Sequence, residues 1–237
     1  MKNKRLDQIR CAEAFSHTEA YTRLKLFDAG SWLSKPVKTV MELTPHFSDY
    51  QTFTGLDLGC GIGRNCIPIL LQLNHIPCTM DCVDILGIAI EKLRENAIKY
   101  QVESSINGIV CPVDSYQIKE NNYDLILGVS VLEHLDSIQS LKRKLLQIRE
   151  GLRINGIACF VVNTSIKERS KSTKEALPVQ FEINMDTNSL MCLLDEVFVD
   201  QDILKQSVIH YTYETFRECG TTELDTSVLT YVVRRRS

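Results

Sequence analysis

The sequence has few of the features that direct a chain to a membrane or to a nucleic acid. None of its apolar runs approaches the roughly 18 uninterrupted residues of a membrane span, and the charged start, MKNKRLDQIRCAEAF, lacks the apolar stretch of a secretory signal. The net charge of −3 provides no overall positive field to attract nucleic acid. We therefore predict a cytoplasmic protein that binds neither nucleic acid nor membranes.

The sequence also lacks the residue spacings that are typical of metal sites. The chain has nine cysteines, but Cys60 and Cys66 do not form a C-x-x-C pair, and no group of histidines and cysteines has zinc-finger spacing. Most of the cysteines lie within apolar runs, which is typical of reduced, buried thiols. We predict reduced cysteines and no metal site.

What the sequence does contain is an alternation of strand-like and helix-like segments. The apolar runs TFTGLDLG, CTMDCVDI, NGIVCPV, YDLILGV and IACFVVN alternate with helical patterns, the strongest of which repeats at steps of three and four from Ile138 to Leu152. Such runs indicate a parallel sheet covered on both faces. SVIHYTYETF and SVLTYVV, parted by the turn-rich ECGTTELD, predict a C-terminal antiparallel hairpin. The predicted fold is α/β, a three-layer sandwich with a mostly parallel seven-stranded sheet.

Two further regions lack these patterns. Residues 1–50 are polar and helix-prone, and we predict a helical N-terminal cap on a core of residues 51–237, the two forming a single domain over residues 1–237. Residues 164–185 are polar and weakly patterned, so we expect either a disordered loop or a lid in which Pro178 to Glu182 touches a substrate and the preceding Lys/Ser-rich part acts as a hinge.

A glycine-rich turn, LDLGCGIGRN, follows the first strand. A bare backbone between a strand and a helix lets a ligand approach the main chain closely. Nicotinamide-dependent oxidoreductases carry G-x-G-x-x-G at such a turn, but here Arg64 occupies the third glycine's position.

The motifs together resemble the class I S-adenosylmethionine-dependent methyltransferases over about residues 50 to 237. DLGCGIG resembles the family's first motif, VDI its second-strand acid, PVDSYQI its third-strand loop and YDLILGVSVLEHL the motif after strand four, while the GLRING turn and the final hairpin match the family's end. The resemblance implies a Rossmann-like sandwich, S-adenosylmethionine as cofactor and S-adenosylhomocysteine as product. It also implies a set of cofactor-binding residues: Asp57, Gly59, Cys60, Gly61, Gly63, Asp84, Ile85, Asp114, Ser115, Gly128 and Val129.

Two of these assignments carry a physical argument. An acid about twenty residues beyond the glycines can accept hydrogen bonds from both ribose hydroxyls, and Asp84 is preferred to Asp81 because it ends the strand. A carboxylate also suits a positively charged sulfonium. Asp57 is predicted to serve the cofactor, with a strand-end cap as the alternative.

The acceptor of the methyl group is less defined by the sequence. GVSVLEH lacks the Asn/Asp-Pro-Pro-aromatic motif of DNA amino-methyltransferases and the catalytic cysteine of RNA cytosine enzymes, and Glu133 stands alone where protein arginine enzymes carry two glutamates. GCGIGRN is similar to the glycine loop of tellurite-resistance and related small-substrate methyltransferases, although LEHL departs from that subgroup. A small-molecule acceptor is the resulting prediction.

Candidate residues for the acceptor site come from two places, the motif after the fourth strand and the N-terminal segment. His134 is either a general base, since imidazole titrates near neutrality, or half of a structural Glu-His pair. His17, Tyr21 and Trp32 are candidates to line an acceptor pocket, with core or surface positions as the alternative.

The resulting hypothesis is an S-adenosylmethionine-dependent methyltransferase that transfers the methyl group in line to a small molecule. The alternatives are a nicotinamide-dependent Rossmann oxidoreductase and a non-catalytic cofactor-binding scaffold. The oligomeric state is left open by the sequence.

Overall fold

The computed structural model describes residues 4–217 and 220–236. Its helices are α1 to α6, in chain order Lys4–Arg23, Lys38–Leu43, Cys66–Gln72, Gly87–Lys99, Ile138–Gly151 and Thr187–Val197. Its strands are β1 to β8, in chain order Phe53–Leu58, Cys78–Asp84, Ile106–Val110, Tyr123–Val129, Leu152–Ser170, Ala176–Leu177, Asp202–Arg217 and Gly220–Arg234. Short 3₁₀ helices occur at Trp32–Ser34, Thr44–Phe47, Glu103–Ser105 and Leu132–His134.

One sheet runs through the molecule in the order β3-β2-β1-β4-β5-β8-β7, with the two-residue β6 paired to β5. The first five strands of this order are parallel, and β8 is antiparallel to both β5 and β7. This arrangement confirms the predicted α/β sandwich with a mostly parallel sheet and a C-terminal antiparallel hairpin.

The core lies on both faces of the sheet. In β4, Leu125 and Leu127 pack into one apolar cluster with residues of α2, α3 and α4, whereas Ile126 packs into a second cluster with α5 and α6. Every second side chain of a strand points to the same face, so a strand buried on both faces must be apolar throughout. This requirement explains the continuous apolar runs in the sequence.

The expectation of a loop over residues 164–185 was wrong for the first part of this segment. β5 continues to Ser170, and its last residues pair with β8 from Ser227 to Thr222. The following segment is also tied down, since Asn184 exchanges two hydrogen bonds of 2.9 Å with the main chain of Ile166. The strand was not predicted because this extension of the sheet carries many polar side chains. Since the segment pairs with β8 and is held by Asn184, its Lys/Ser-rich part is no free hinge.

Two predicted turns also differ from the structure. In ECGTTELD, β8 already begins at Gly220, and residues 218–219, where part of the predicted turn falls, lie outside the described ranges. The RING segment belongs to β5 as a bulge, because Leu152 pairs with Tyr123 and Ile157 with Leu125.

Residues 4–50 contain α1, α2 and two 3₁₀ helices, and the division into cap and core stays a proposal. Among the residues that the structure describes, no helix combines the length and the apolar character needed to cross a membrane.

Candidate functional site

A cavity of about 400 Å³ opens where β1, β2 and β4 end. This carboxyl edge of a parallel sheet is where ligands bind in open α/β folds. The loops after the strands contribute Gly59, Asp84, Ile85, Ser130 and Val131 to its wall, while α1 supplies another wall with Arg10, Cys11, Glu13, Ala14, His17 and Tyr21. The remaining lining residues come from four segments: Leu86, Pro112, Val113, Asp114, His134, Leu135 and Glu182.

Asp84 holds the glycine loop in place from the end of β2. Its Oδ2 accepts a hydrogen bond from the amide of Gly61 and its Oδ1 one from the amide of Leu86, both at 2.9 Å. Burial raises the pKa of Asp84, against the lowering effect of these amides. Each carboxylate oxygen has two lone-pair sites, so Asp84 can also accept hydrogen bonds from a ligand.

Gly61 shows why this loop requires glycine. Its φ of +52° lies in the left-handed region, which disfavours residues with a side chain. A Cβ atom there would lie 2.9 Å from the hydroxyl oxygen of Tyr21. The loop therefore combines an unusual backbone conformation with close contact to α1.

Asp57, near the end of β1, has a buried carboxyl group, one oxygen of which accepts no hydrogen bond. It is 1% exposed, and its Oδ2 has no hydrogen-bond partner. Burial, together with the negative charge of Asp84, raises its pKa to about 7. Ionisation of Asp57 thus costs folding free energy in the unliganded protein.

We expect Asp57→Asn to stabilise the unliganded protein above pH 7. Because the pKa of Asp57 is raised in the folded protein, the free energy of unfolding falls as the pH rises from about 4 through 7. Asparagine does not ionise, so the variant avoids this loss, which is on the order of 2–4 kcal/mol. Thermal unfolding at pH 8 should show a higher midpoint for the variant, and the difference should shrink towards pH 4. An exposed control, Asp49→Asn, should show neither effect; a destabilised Asp57→Asn at pH 8 would contradict the assignment.

His134 and Glu182, contributed by different segments, form a partly buried pair in the cavity wall. Nδ1 of His134 lies 2.9 Å from Oε2 of Glu182, and the Glu182 side chain is only 2% exposed. Phe181 stacks on the imidazole with ring centroids 5.1 Å apart. Burial lowers the pKa of His134, but the hydrogen bond to Glu182 and the charges of Glu133 and Glu13 outweigh it and raise the pKa to about 9.

Glu133, next to His134, forms hydrogen bonds to two neighbouring segments of the chain. Its side-chain Oε1 accepts hydrogen bonds from the amide and the Nδ2 of Asn163, at 3.1 and 2.7 Å. Its carbonyl oxygen accepts one from the amide of Ile183 at 2.9 Å. Glu133 thus ties the 3₁₀ helix to β5 and to the segment that carries Glu182.

A stripe of polar and aromatic residues runs along α1 beside the cavity. Arg10, Glu13, His17 and Tyr21 follow each other at steps of three and four, which places them on one helical face. His17 and Tyr21 line the cavity, and Trp32 lies behind them with ring centroids 6.1 Å from each. Sequence reasoning identified His17 and Tyr21 but missed Arg10 and Glu13, although the same helical spacing connects all four.

Arg10 links α1 to three acidic side chains around the cavity. It contacts Asp136, and it lies 3.8 Å from Asp114 and 3.6 Å from Glu182. These ion pairs hold α1 against the edge of the sheet where the cavity opens.

The structure brings only part of the predicted cofactor set to the cavity wall. Gly59, Asp84, Ile85 and Asp114 line it, as does His134. Seven other predicted residues lie outside the wall: Asp57, Cys60, Gly61, Gly63, Ser115, Gly128 and Val129.

Several of these seven have other contacts. A Cβ atom at Gly63 would lie 2.6 Å from the side chain of Ile67, so Gly63 lets helix and loop pack closely. The Ser115 amide donates a hydrogen bond to the carbonyl of Pro112. After β4, the wall is formed by Ser130 and Val131 rather than by Gly128 and Val129.

Asp81, the competitor of Asp84, lies in a different network. Its carboxylate accepts hydrogen bonds from the hydroxyls of Tyr123 and Tyr116 and from the side chain of Asn107, at 2.8, 3.2 and 2.8 Å. It is absent from the cavity wall, where Asp84 lies.

Comparison with known proteins finds likenesses to methyltransferases. Residues 56–158 match the family model described as a methyltransferase domain. The chain is 25% identical over 130 residues to a ubiquinone biosynthesis O-methyltransferase of Rickettsia canadensis (strain McKiel), an alignment that covers 54% of this chain and 50% of that protein. The chain thus spans about half the length of the curated relatives it matches.

Solved structures share the fold. TehB from Haemophilus influenzae superposes with a TM-score of 0.60 at 20% identity, over 83% of this chain and 62% of that one. Geranyl diphosphate methyltransferase in complex with S-adenosylmethionine superposes with a TM-score of 0.56 at 13% identity, over 83% and 84% of the two chains. These likenesses show a methyltransferase-type fold, and the motif order, the sheet topology and the domain match over residues 56–158 support a place among the class I S-adenosylmethionine-dependent methyltransferases.

Proposed function

We propose that the chain transfers the methyl group of S-adenosylmethionine to an oxygen atom of a small-molecule acceptor. The observation that carries the proposal is the presence, in one cavity, of a strand-end carboxylate beside a glycine loop and of a partly buried histidine-glutamate pair. The curated relatives named as ubiquinone biosynthesis O-methyltransferases support an oxygen acceptor.

The residues present fit the cofactor in three respects. Asp84 has unused lone pairs on the cavity wall and can accept hydrogen bonds from hydroxyl groups. Gly59 exposes main chain to the cavity, and the partnerless oxygen of Asp57 lies at the end of β1, beneath the glycine loop. Carboxylates in this position favour a positively charged ligand.

S-adenosylmethionine, when bound, supplies a methyl group already activated by a positively charged sulfur, and its transfer is an in-line displacement. The chain's own contribution is to hold the acceptor in position, and orientation can supply roughly 7–11 kcal/mol of the barrier reduction. α1 encloses the cavity from one side and limits the entry of water.

His134 is positioned to accept the proton of an acceptor hydroxyl. Because the carboxylate of Glu182 accepts a hydrogen bond, the neutral imidazole carries its proton on Nδ1 and a free lone pair on Nε2. Glu182 is therefore a positioning residue, and Nε2 of His134 is the candidate base.

The reaction rate should depend on pH through His134. With a pKa of about 9 the imidazole is mostly protonated at pH 7, and only the neutral form can act as a base. We expect kcat to rise with pH and to level off above about pH 9, measured with an acceptor that does not titrate in this range. Glu182→Gln removes a negative charge that raises the pKa of His134, so its inflection should move to lower pH.

A purely structural role for Glu182 would give a different result. The variant would then lose activity equally at every pH, with the inflection unchanged. The same profile in the wild-type and variant proteins would refute the assignment of Glu182.

The proposed function is tested by an acceptor screen. The purified protein is mixed with S-adenosylmethionine and a panel of small phenols, catechols, amines and thiols, and S-adenosylhomocysteine release is measured. We expect release with hydroxyl acceptors. Binding of the cofactor without turnover on any panel member, or turnover on amines or thiols alone, would contradict the proposal.

A further inference from the structure

A second cavity, of about 280 Å³, lies beside the first. It is enclosed by Arg5, Ile9 and Ala12 of α1, by residues 177–180, and by Glu168 and Arg217 of the sheet extension. Its lining is apolar at Ile9, Ala12 and Val179 and polar or charged at Arg5, Glu168, Gln180 and Arg217.

Two buried hydrogen-bond acceptors in this lining have no partner among the residues that the structure describes. The Glu168 side chain is 1% exposed; its Oε1 accepts hydrogen bonds from Nε of Arg217 at 2.9 Å and from the hydroxyl of Thr222 at 2.7 Å, whereas its Oε2 accepts none. Oε1 of Gln180 is likewise buried and without a partner. Buried polar atoms are normally hydrogen-bonded, so these two acceptors favour a ligand that donates hydrogen bonds.

Neighbouring residues of the same segments line the two cavities, which have no lining residue in common. α1 lines the first with Glu13 and the second with Ala12, and Gln180 and Glu182 belong to the same segment on either side of Phe181. Arg217 lies 3.6 Å from Glu13 as well as pairing with Glu168.

The first cavity is too small for both reactants. Pockets for one drug-sized ligand occupy roughly 300–1,000 Å³, and the first cavity, at about 400 Å³, lies at the low end of that range. An acceptor bound together with the cofactor therefore requires adjoining space.

From these observations we infer that the second cavity holds the distal part of the methyl acceptor, an apolar chain that ends in an uncharged hydrogen-bond donor such as a hydroxyl group. The charge of Glu168 is already matched by Arg217, and Arg5 adds a positive charge nearby, which disfavours an ammonium group. This inference rests on the proposed function, because it assumes that the first cavity holds the cofactor.

The test uses protein saturated with S-adenosylhomocysteine and a series of phenols with para ω-hydroxyalkyl chains of different lengths. Matching phenols ending in methyl, carboxylate or ammonium groups report on the end group. We expect the affinity for the hydroxyl-ended phenols, measured by calorimetry, to be highest at one chain length. At that length it should exceed the affinity for phenol at least tenfold, and phenols with the other endings should not reach this gain.

Two variants locate the binding site. Ala12→Phe fills the second cavity and should remove the advantage of the chain, whereas Ser16→Phe, on an exposed position of the same helix, should retain it. Gln180→Leu should lower the affinity for the hydroxyl-ended phenol to that for the matching methyl-ended phenol. Gln51→Leu, on the surface, should leave the affinity for the hydroxyl-ended phenol unchanged. All four variants should bind S-adenosylhomocysteine as the wild type does.

The outcomes separate the two proposals. Equal affinities for all chain lengths and endings, a preference for a charged ending, or equal effects of Ala12→Phe and Ser16→Phe would overturn the inference. If no phenol of the series binds, the inference also falls, while the proposed function falls only if the broader acceptor screen yields no S-adenosylhomocysteine.

Discussion

Replacing Asp84 with alanine is expected to weaken binding of S-adenosylmethionine about 10- to 100-fold, the scale of lost hydrogen bonds to a charged group. The side chain is expected to act twice, by accepting hydrogen bonds from the ligand and by holding the amide of Gly61 at 2.9 Å. Calorimetric titration gives the affinity directly, and circular dichroism checks that the variant is folded.

Asp81→Asn is the matched control, because Asp81 lies on the same strand and accepts its hydrogen bonds from Tyr116, Tyr123 and Asn107 instead. It should bind the cofactor like the wild type. An unchanged affinity in Asp84→Ala together with a loss in Asp81→Asn would transfer the role to Asp81.

His134→Ala should lower kcat by roughly 10²–10⁴-fold, the usual contribution of a general base. The affinity for S-adenosylhomocysteine should change little, because the proposed role concerns the acceptor proton. His46→Ala, on an exposed position of the 3₁₀ helix Thr44–Phe47, is the control and should keep full activity.

A wild-type rate in His134→Ala would show that the histidine is only structural. A loss of cofactor affinity equal to the loss of rate would place its role in binding rather than in proton transfer.

The fold was predictable where burial dictates the pattern. YDLILGV was predicted as a strand and forms β4, Tyr123–Val129, because a strand covered on both faces admits few polar residues. The 3-4 repeat beginning at Ile138 likewise predicted α5. The end of β5 escaped prediction because residues such as Glu168 and Arg169 form a strand stabilised by pairing with β8, which local composition does not reveal.

The site was predictable only for residues that lie in recognisable motifs at the ends of strands. Gly59 and Asp84 follow adjacent strands, and the topology of a parallel sheet brings the ends of such strands together. Glu182 is paired with His134 across 48 positions of the chain, and no spacing rule connects them. Sequence reasoning placed Glu182 within a segment expected to touch the acceptor, but neither its partner nor its burial could be foreseen.

The central claim is that the cavity at the ends of β1, β2 and β4 binds S-adenosylmethionine. The most direct measurement is calorimetric titration of the unliganded wild-type protein with S-adenosylmethionine and, separately, with NAD and NADP. The account predicts saturable binding of S-adenosylmethionine, with one site per chain, and no binding of either nicotinamide cofactor. Binding of NAD or NADP without binding of S-adenosylmethionine would contradict it.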